Sequence, residues 1–130
     1  MISMNTSSDD NVEYGISNCC RIIYAKRKNG SLPAKEFLLS LDIGARVKFA
    51  RLFDWLLEQG KITNVQKLKK LQGKNELWEF RVLPYRLFAF QDGHTWVLAN
   101  GFEKKADKTP QVEINRGVEI RKEYFERKRK

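Results

Sequence analysis

Several things are scarce in this 130-residue chain, and each scarcity narrows what it can be. There is one histidine, His94, and the two cysteines, Cys19 and Cys20, are adjacent. Neighbouring side chains on an extended chain point to opposite faces, so the pair makes no ordinary bridge within a fold. Neither the cysteines nor the histidine recur at metal-ligand spacing, so no metal site is expected. No apolar run approaches the ~20 residues that a membrane span needs. The start, MISMNTSSDD, lacks the basic-then-apolar form of a secretion signal. The expectation is a soluble, cytoplasmic protein with no cofactor. Proline is limited to Pro33, Pro84 and Pro110, and each stands at an element boundary.

Charge of one sign is missing locally. Residues 1–20 contain no Lys or Arg, and residues 61–74 contain five lysines and no acid. The formal charge is +9, but residues 21–130 hold all 25 basic side chains and 13 of the 16 acids, an excess of +12. An excess of that size favours a polyanionic partner, with nucleic acid first among candidates.

What is present reads as α+β. Residues 1–18, rich in Ser, Asn and Asp, are expected to be a flexible extension, and residues 19–130 a single domain. Cys19–Ala25 reads as a strand. Ser31 and Pro33 open a helix whose Ala34, Phe37, Leu38 and Leu41 share a face. Asp42-Ile43-Gly44 interrupts it. A second helix follows, with Ala45, Phe49, Leu52, Phe53 and Leu56 on one stripe, widened by Trp55 and Leu57. Arg46, Lys48, Arg51, Asp54 and Glu58 lie mostly off that stripe, and Gly60 is a natural stop. Thr109-Pro110 starts a last helix with Thr109 as cap and Ile114, Val118 and Phe125 as its apolar stripe.

Residues 77–105 organise the rest. Leu77–Leu83, Tyr85–Gln91 and Thr95–Gly101 are short apolar runs separated by turn signals, which predicts an antiparallel meander. Asp92-Gly93 marks one hairpin turn. If Leu83-Pro84 is a two-residue turn, Arg81 and Arg86 face each other across the ladder, where like charges repel unless an anion lies between them. Residues 61–74 do not alternate cleanly and predict an irregular strand or loop. Lys67, Lys69, Lys70 and Lys74, with Lys108 before the last helix, are candidate phosphate contacts. His94 sits in a turn and receives no acid/base role. Glu76 and Glu79 are expected in ion pairs, and Trp78, Trp96, Phe88 and Phe90 mostly in the core.

With LWEFRV, YRLFAF and GFEKKADKTP in this order, the chain resembles the RelE-like toxins of bacterial type II toxin–antitoxin systems over about residues 20–125. It is most like the HigB-type and phage-derived branch. The resemblance implies a β-α-α-β-β-β-α fold: a curved, mainly antiparallel sheet with a helical hairpin on one face and a C-terminal helix. It also implies an endoribonuclease that cleaves messenger RNA on the ribosome without a metal. A cognate antitoxin, of helix-turn-helix type, would block it by covering the basic face. Arg81 and Arg86 fall where the family carries basic catalytic residues, and Lys104 and Lys105 match a basic pair. Two departures are evident: Glu79 stands where a lysine occurs in one member type, and no tyrosine closely follows Lys105. The alternatives are a non-enzymatic, ParE-like inhibitor of DNA gyrase and an inactive RNA-binding phage accessory protein.

Overall fold

The computed structural model describes residues 12–73 and 75–129. Its elements run β1 (Glu13–Ile16), β2 (Arg21–Tyr24), α1 (Pro33–Ser40), α2 (Ile43–Gln59), β3 (Leu68–Lys70), β4 (Trp78–Val82), β5 (Tyr85–Asp92), β6 (Thr95–Glu103) and α3 (Gln111–Lys128). The six strands form one mixed sheet in the order β1-β2-β6-β5-β4-β3. Among the described residues only β2 and β6 pair in parallel, and the chain between them carries α1, α2 and β3 to β5.

Alternation divides the core. Ile22, Phe80, Leu87, Ala89, Trp96 and Leu98 pack under Leu38 of α1 and Phe49, Phe53 and Leu56 of α2. On the other sheet face Ile23, Leu77, Phe88, Phe90, Val97 and Phe102 pack with Ile120 of α3. The helical hairpin on one face and a C-terminal helix are as the pattern and the resemblance imply; the structure adds that α3 lies on the opposite face.

Four details depart from expectation. Residues 13–16, expected to belong to a flexible extension over residues 1–18, form an edge strand on β2. Val12 is buried, Tyr14 packs edge-on against Phe53 at 5.1 Å, and its hydroxyl donates to Asp54 at 2.9 Å. A four-residue strand with Gly at its centre has little signal of its own, and α2 supplies what holds it. Residues 1–11 lie outside the described residues. Second, the hairpin loop is Gly93-His94 rather than Asp92-Gly93: Asp92 still pairs with Thr95, and Gly93 adopts the positive φ of 61° that the turn requires. Third, Thr109 does not cap α3; Pro110 holds that position and no side chain caps the helix. Fourth, Val118 is 40% exposed, because α3 turns Gly117, Ile120 and Glu123 to the sheet.

Gly101 marks the closest approach of α1 to the sheet. A Cβ there would stand 2.1 Å from Phe37 Cδ2 and 2.4 Å from Cε2. That ring is wedged against Phe49 and Tyr85, so it has little room to retreat. Gly101→Ala is expected to cost about 2 kcal/mol by overpacking. Denaturant melts should show most of that loss recovered in the Gly101→Ala/Phe37→Ala double variant, compared with Phe37→Ala alone.

Two carboxylates tie α3 down. Arg27 donates to Glu123 through Nε at 3.2 Å and Nη2 at 2.7 Å, and Asp92 Oδ2 accepts from the Tyr124 hydroxyl at 2.7 Å and from Lys128 Nζ. Arg27 holds Glu123, and Lys128 with Tyr124 holds Asp92, below their ordinary pKa values of 4.5 and 3.8. A depressed folded-state pKa contributes stability above the unfolded value and loses it as pH falls through the folded one. The melting temperature should therefore fall with acidification from about pH 4.5 downward. Glu123→Gln/Asp92→Asn should flatten that slope while lowering stability at neutral pH.

Candidate functional site

The site begins with a register. Val82 pairs with Tyr85 around Leu83-Pro84, which puts Arg81 directly opposite Arg86. Arg81 gives its backbone N–H to the Lys67 carbonyl, on the β3 side. The two arginines therefore exchange no backbone bonds across the ladder, the arrangement in which facing side chains come nearest. By alternation both leave the sheet on the α3 face, together with Glu79.

The anion that such a pair needs is Glu79. It is 1% exposed, and its Oε1 accepts from Arg81 Nε at 2.9 Å and lies 3.6 Å from Arg86 Nε. Two cations thus share one carboxylate. The balance is uneven, because Arg81 keeps 23% of its side-chain surface while Arg86 keeps 8%. Arg86 Nη1 donates to the Tyr85 carbonyl at 3.1 Å, but its Nε and Glu79 Oε2 make no hydrogen bond among the described residues. Burial pushes the Arg86 guanidinium below its ordinary pKa; Glu79 opposes this and the charge of Arg81 adds to it. A buried guanidinium donor that makes no hydrogen bond is costly to keep, and such a donor suits an anion.

Around this trio the surface is basic. A cleft of about 610 Å³ at the β4–β5 turn is lined by Lys48, Arg51 and Leu52 of α2, Gln66 and Lys67 before β3, and Arg81, Val82, Leu83 and Arg86. A second hollow of about 360 Å³ is lined by Pro84, Lys104, Lys105 and Asp107, and Leu83 and Arg86 line both hollows. The Lys104 N–H bonds the Pro84 carbonyl at 2.8 Å, which fixes the end of β6 against the turn.

The nine basic residues singled out in the sequence are placed differently. Arg81, Arg86 and Lys67 share the first cleft, and Arg86, Lys104 and Lys105 the second. Lys69 and Lys70 lie on the edge strand β3, opposite Glu79 and Trp78, and Lys70 Nζ sits 3.4 Å from Glu76. Lys108 is exposed in the loop before α3 and lines neither hollow. Lys74 lies outside the described residues. Lys48 and Arg51 were not among the candidates, and they complete the first cleft. The signal that could find them is their position, three residues apart and away from the apolar stripe of α2. His94 is at the opposite end of the β5–β6 hairpin, exposed. Trp96, Phe88 and Phe90 are buried and Trp78 half-buried, as expected of core aromatics.

Among the described residues no group of three or more His, Cys, Asp or Glu is arranged to hold a metal ion. No helix described is long and apolar enough to cross a membrane.

Residues 36–122 match the family described as phage-derived protein Gp49-like (DUF891), a span from α1 almost to the end of α3. The chain belongs to that family. The Gp49-like family is part of the RelE/ParE-like toxin superfamily, so the protein is toxin-like and an antitoxin partner is implied in general terms. No curated protein matches the chain. The matched span contains every residue of both hollows.

Proposed function

We propose that this Gp49-like protein is the toxin of a type II toxin–antitoxin pair, of the HigB-type branch, and cleaves messenger RNA on the ribosome. The observation that carries the reading is the Arg81–Arg86 pair, set face to face over one buried carboxylate in a cleft rich in cations. Cleavage needs few groups. The ribose 2′-oxygen attacks its own adjacent phosphorus, the P–O5′ bond breaks, and the products are a 2′,3′-cyclic phosphate and a 5′-hydroxyl. Negative charge gathers on the non-bridging oxygens as the phosphorane forms, and forked, always-protonated guanidinium groups match it. Arg86 supplies the inner charge and Arg81 the outer one. Lys104 or Lys105, across the turn, positions the strand or gives a proton to the departing 5′-oxygen. Lys67, Lys69, Lys70, Lys74 and Lys108 meet flanking phosphates. An antitoxin, of helix-turn-helix type, covers this face with acidic or apolar segments.

A non-catalytic protein, a ParE-like gyrase inhibitor or an inactive RNA-binding accessory protein, is the second reading, and Glu79 favours it over catalysis. An arginine pair neutralised by a buried carboxylate is also a structural cross-link, and such a link needs no substrate. Reporter-mRNA cleavage in a translation reaction, run beside a gyrase supercoiling assay, separates the two. Cleavage that falls about 10²–10³-fold in Arg81→Ala is expected. Inhibition of supercoiling without cleavage rejects the nuclease.

A further inference from the structure

Helix α2 carries more than core. Ala45, Phe49, Phe53 and Leu56 are buried against the sheet. A different face, at i, i+3, i+4 and i+7, presents Lys48, Arg51, Leu52 and Trp55. The first three line the basic cleft. Trp55 continues their row one turn further, and it is 53% exposed. The apolar stripe does not absorb it, contrary to the sequence expectation. A half-exposed indole costs hydration, and next to a cationic cleft it offers a planar face beside phosphate-binding charge.

The neighbouring charges point the same way. Among the described residues Lys48 and Arg51 form no ion pair. Asp54, also on α2, accepts the Tyr14 hydroxyl at 2.9 Å on another side of the helix. Glu58, exposed and a turn beyond Trp55, ends the basic row. A protein partner with an apolar anchor would find Trp55 between Arg51 on one side and Glu58 on the other, and no apolar companion on this row other than Leu52, itself half-buried. A single-stranded nucleic acid offers both complements at once: phosphates for Lys48 and Arg51, and an unstacked base for the indole.

We infer that Lys48, Arg51 and Trp55 form a subsite for single-stranded RNA, in which Trp55 stacks a base outside the Arg81–Arg86 cleft and the two cations grip the phosphates leading to it. The inference rests on the reading of that cleft as an RNA site. It adds a place where the strand is held away from the reacting phosphate. Because Trp55 lies outside the Arg81–Glu79–Arg86 trio, it contributes to affinity and to the choice of base rather than to bond breaking.

The probe is a fluorescein-labelled single-stranded RNA with every 2′-hydroxyl methylated. It cannot be cleaved by 2′-oxygen attack, so binding is read whether or not the protein is a nuclease. Trp55→Ala should weaken binding about tenfold, and Trp55→Phe should recover most of it. The fluorescence quenching that RNA causes in the wild type should vanish in Trp55→Ala, since Trp96 is buried and Trp78 half-buried. Lys48→Ala and Arg51→Ala should each lower the slope of log affinity against log salt by about 0.7. An RNA duplex of the same length should show no dependence on Trp55. Unchanged binding in Trp55→Ala overturns the subsite even if reporter mRNA is still cleaved. Loss of antitoxin binding in Trp55→Ala with RNA binding intact assigns the surface to a protein partner and overturns it too. Loss of cleavage in Arg81→Ala with all these binding results as expected leaves both readings standing.

Discussion

Glu79→Gln is expected to lower the unfolding free energy by about 3 kcal/mol. Glutamine keeps the size and can still accept from Arg81, so the loss is that of a charge. Most of the cost falls on Arg86, which keeps only 8% of its side-chain surface and cannot turn to water for compensation. Arg81, at 23%, is partly solvated and loses less. Arg86→Met in the Glu79→Gln background should recover much of the stability, because an apolar side chain leaves no buried charge unpaired. Chemical denaturation of the two variants and the wild type tests this. A cost under about 1 kcal/mol for Glu79→Gln would mean that the carboxylate does not neutralise the pair. The functional consequences should split. Removing this buried acid adds positive charge to the cleft, so non-specific RNA binding should strengthen and become steeper with salt. Cleavage should fall, because the arginines lose the anchor that orients them.

How much of this arrangement could be read from the chain depended on whether a local rule reached it. Arg81 opposite Arg86 follows from a two-residue turn at Leu83-Pro84, and Glu79 joins them because side chains two apart on a strand share a face. The need for an anion between the arginines is plain electrostatics, and Glu79 fills it. The same rules fail where tertiary packing decides. Lys48, Arg51 and Trp55 stand away from the apolar stripe of α2, and their distance from the β4–β5 turn depends on how that helix crosses the sheet. No spacing encodes such a crossing. Trp55 was assigned to the core by hydrophobicity, yet the buried arc of α2 is narrow and already filled by Ala45, Phe49, Phe53 and Leu56. The strand β1 escaped for a related reason, since Tyr14 and Val12 are held by α2 and β2 rather than by any propensity of EYGI. In the hairpin, Asp92-Gly93 and Gly93-His94 both offer a glycine, and only the pairing of Asp92 with Thr95 decides between them.

Arg86→Lys is expected to lower the rate of RNA cleavage by about 10²–10³-fold while leaving RNA affinity within a few-fold of the wild type. The argument turns on shape rather than charge. Lysine keeps the positive charge that draws phosphates into the cleft, so ground-state binding survives. It loses the fork that can meet two phosphoryl oxygens at once, and that match matters most when charge builds on those oxygens in the phosphorane. The Nε of Arg86, buried, 3.6 Å from Glu79 Oε1 and making no hydrogen bond among the described residues, is the donor that would be lost. Single-turnover cleavage of a reporter RNA, with binding measured separately on its 2′-O-methyl analogue, isolates the chemical step. Arg86→Ala serves as the second variant, and it should lose affinity as well as rate. Thermal melts must accompany both, because removing the Arg86 charge leaves Glu79 leaning on Arg81 alone. If Arg86→Lys cleaves at the wild-type rate, Arg86 supplies charge without geometry, and the transition-state role passes to Arg81. If it loses affinity and rate in equal proportion, Arg86 binds substrate and transition state alike and is not what accelerates the reaction.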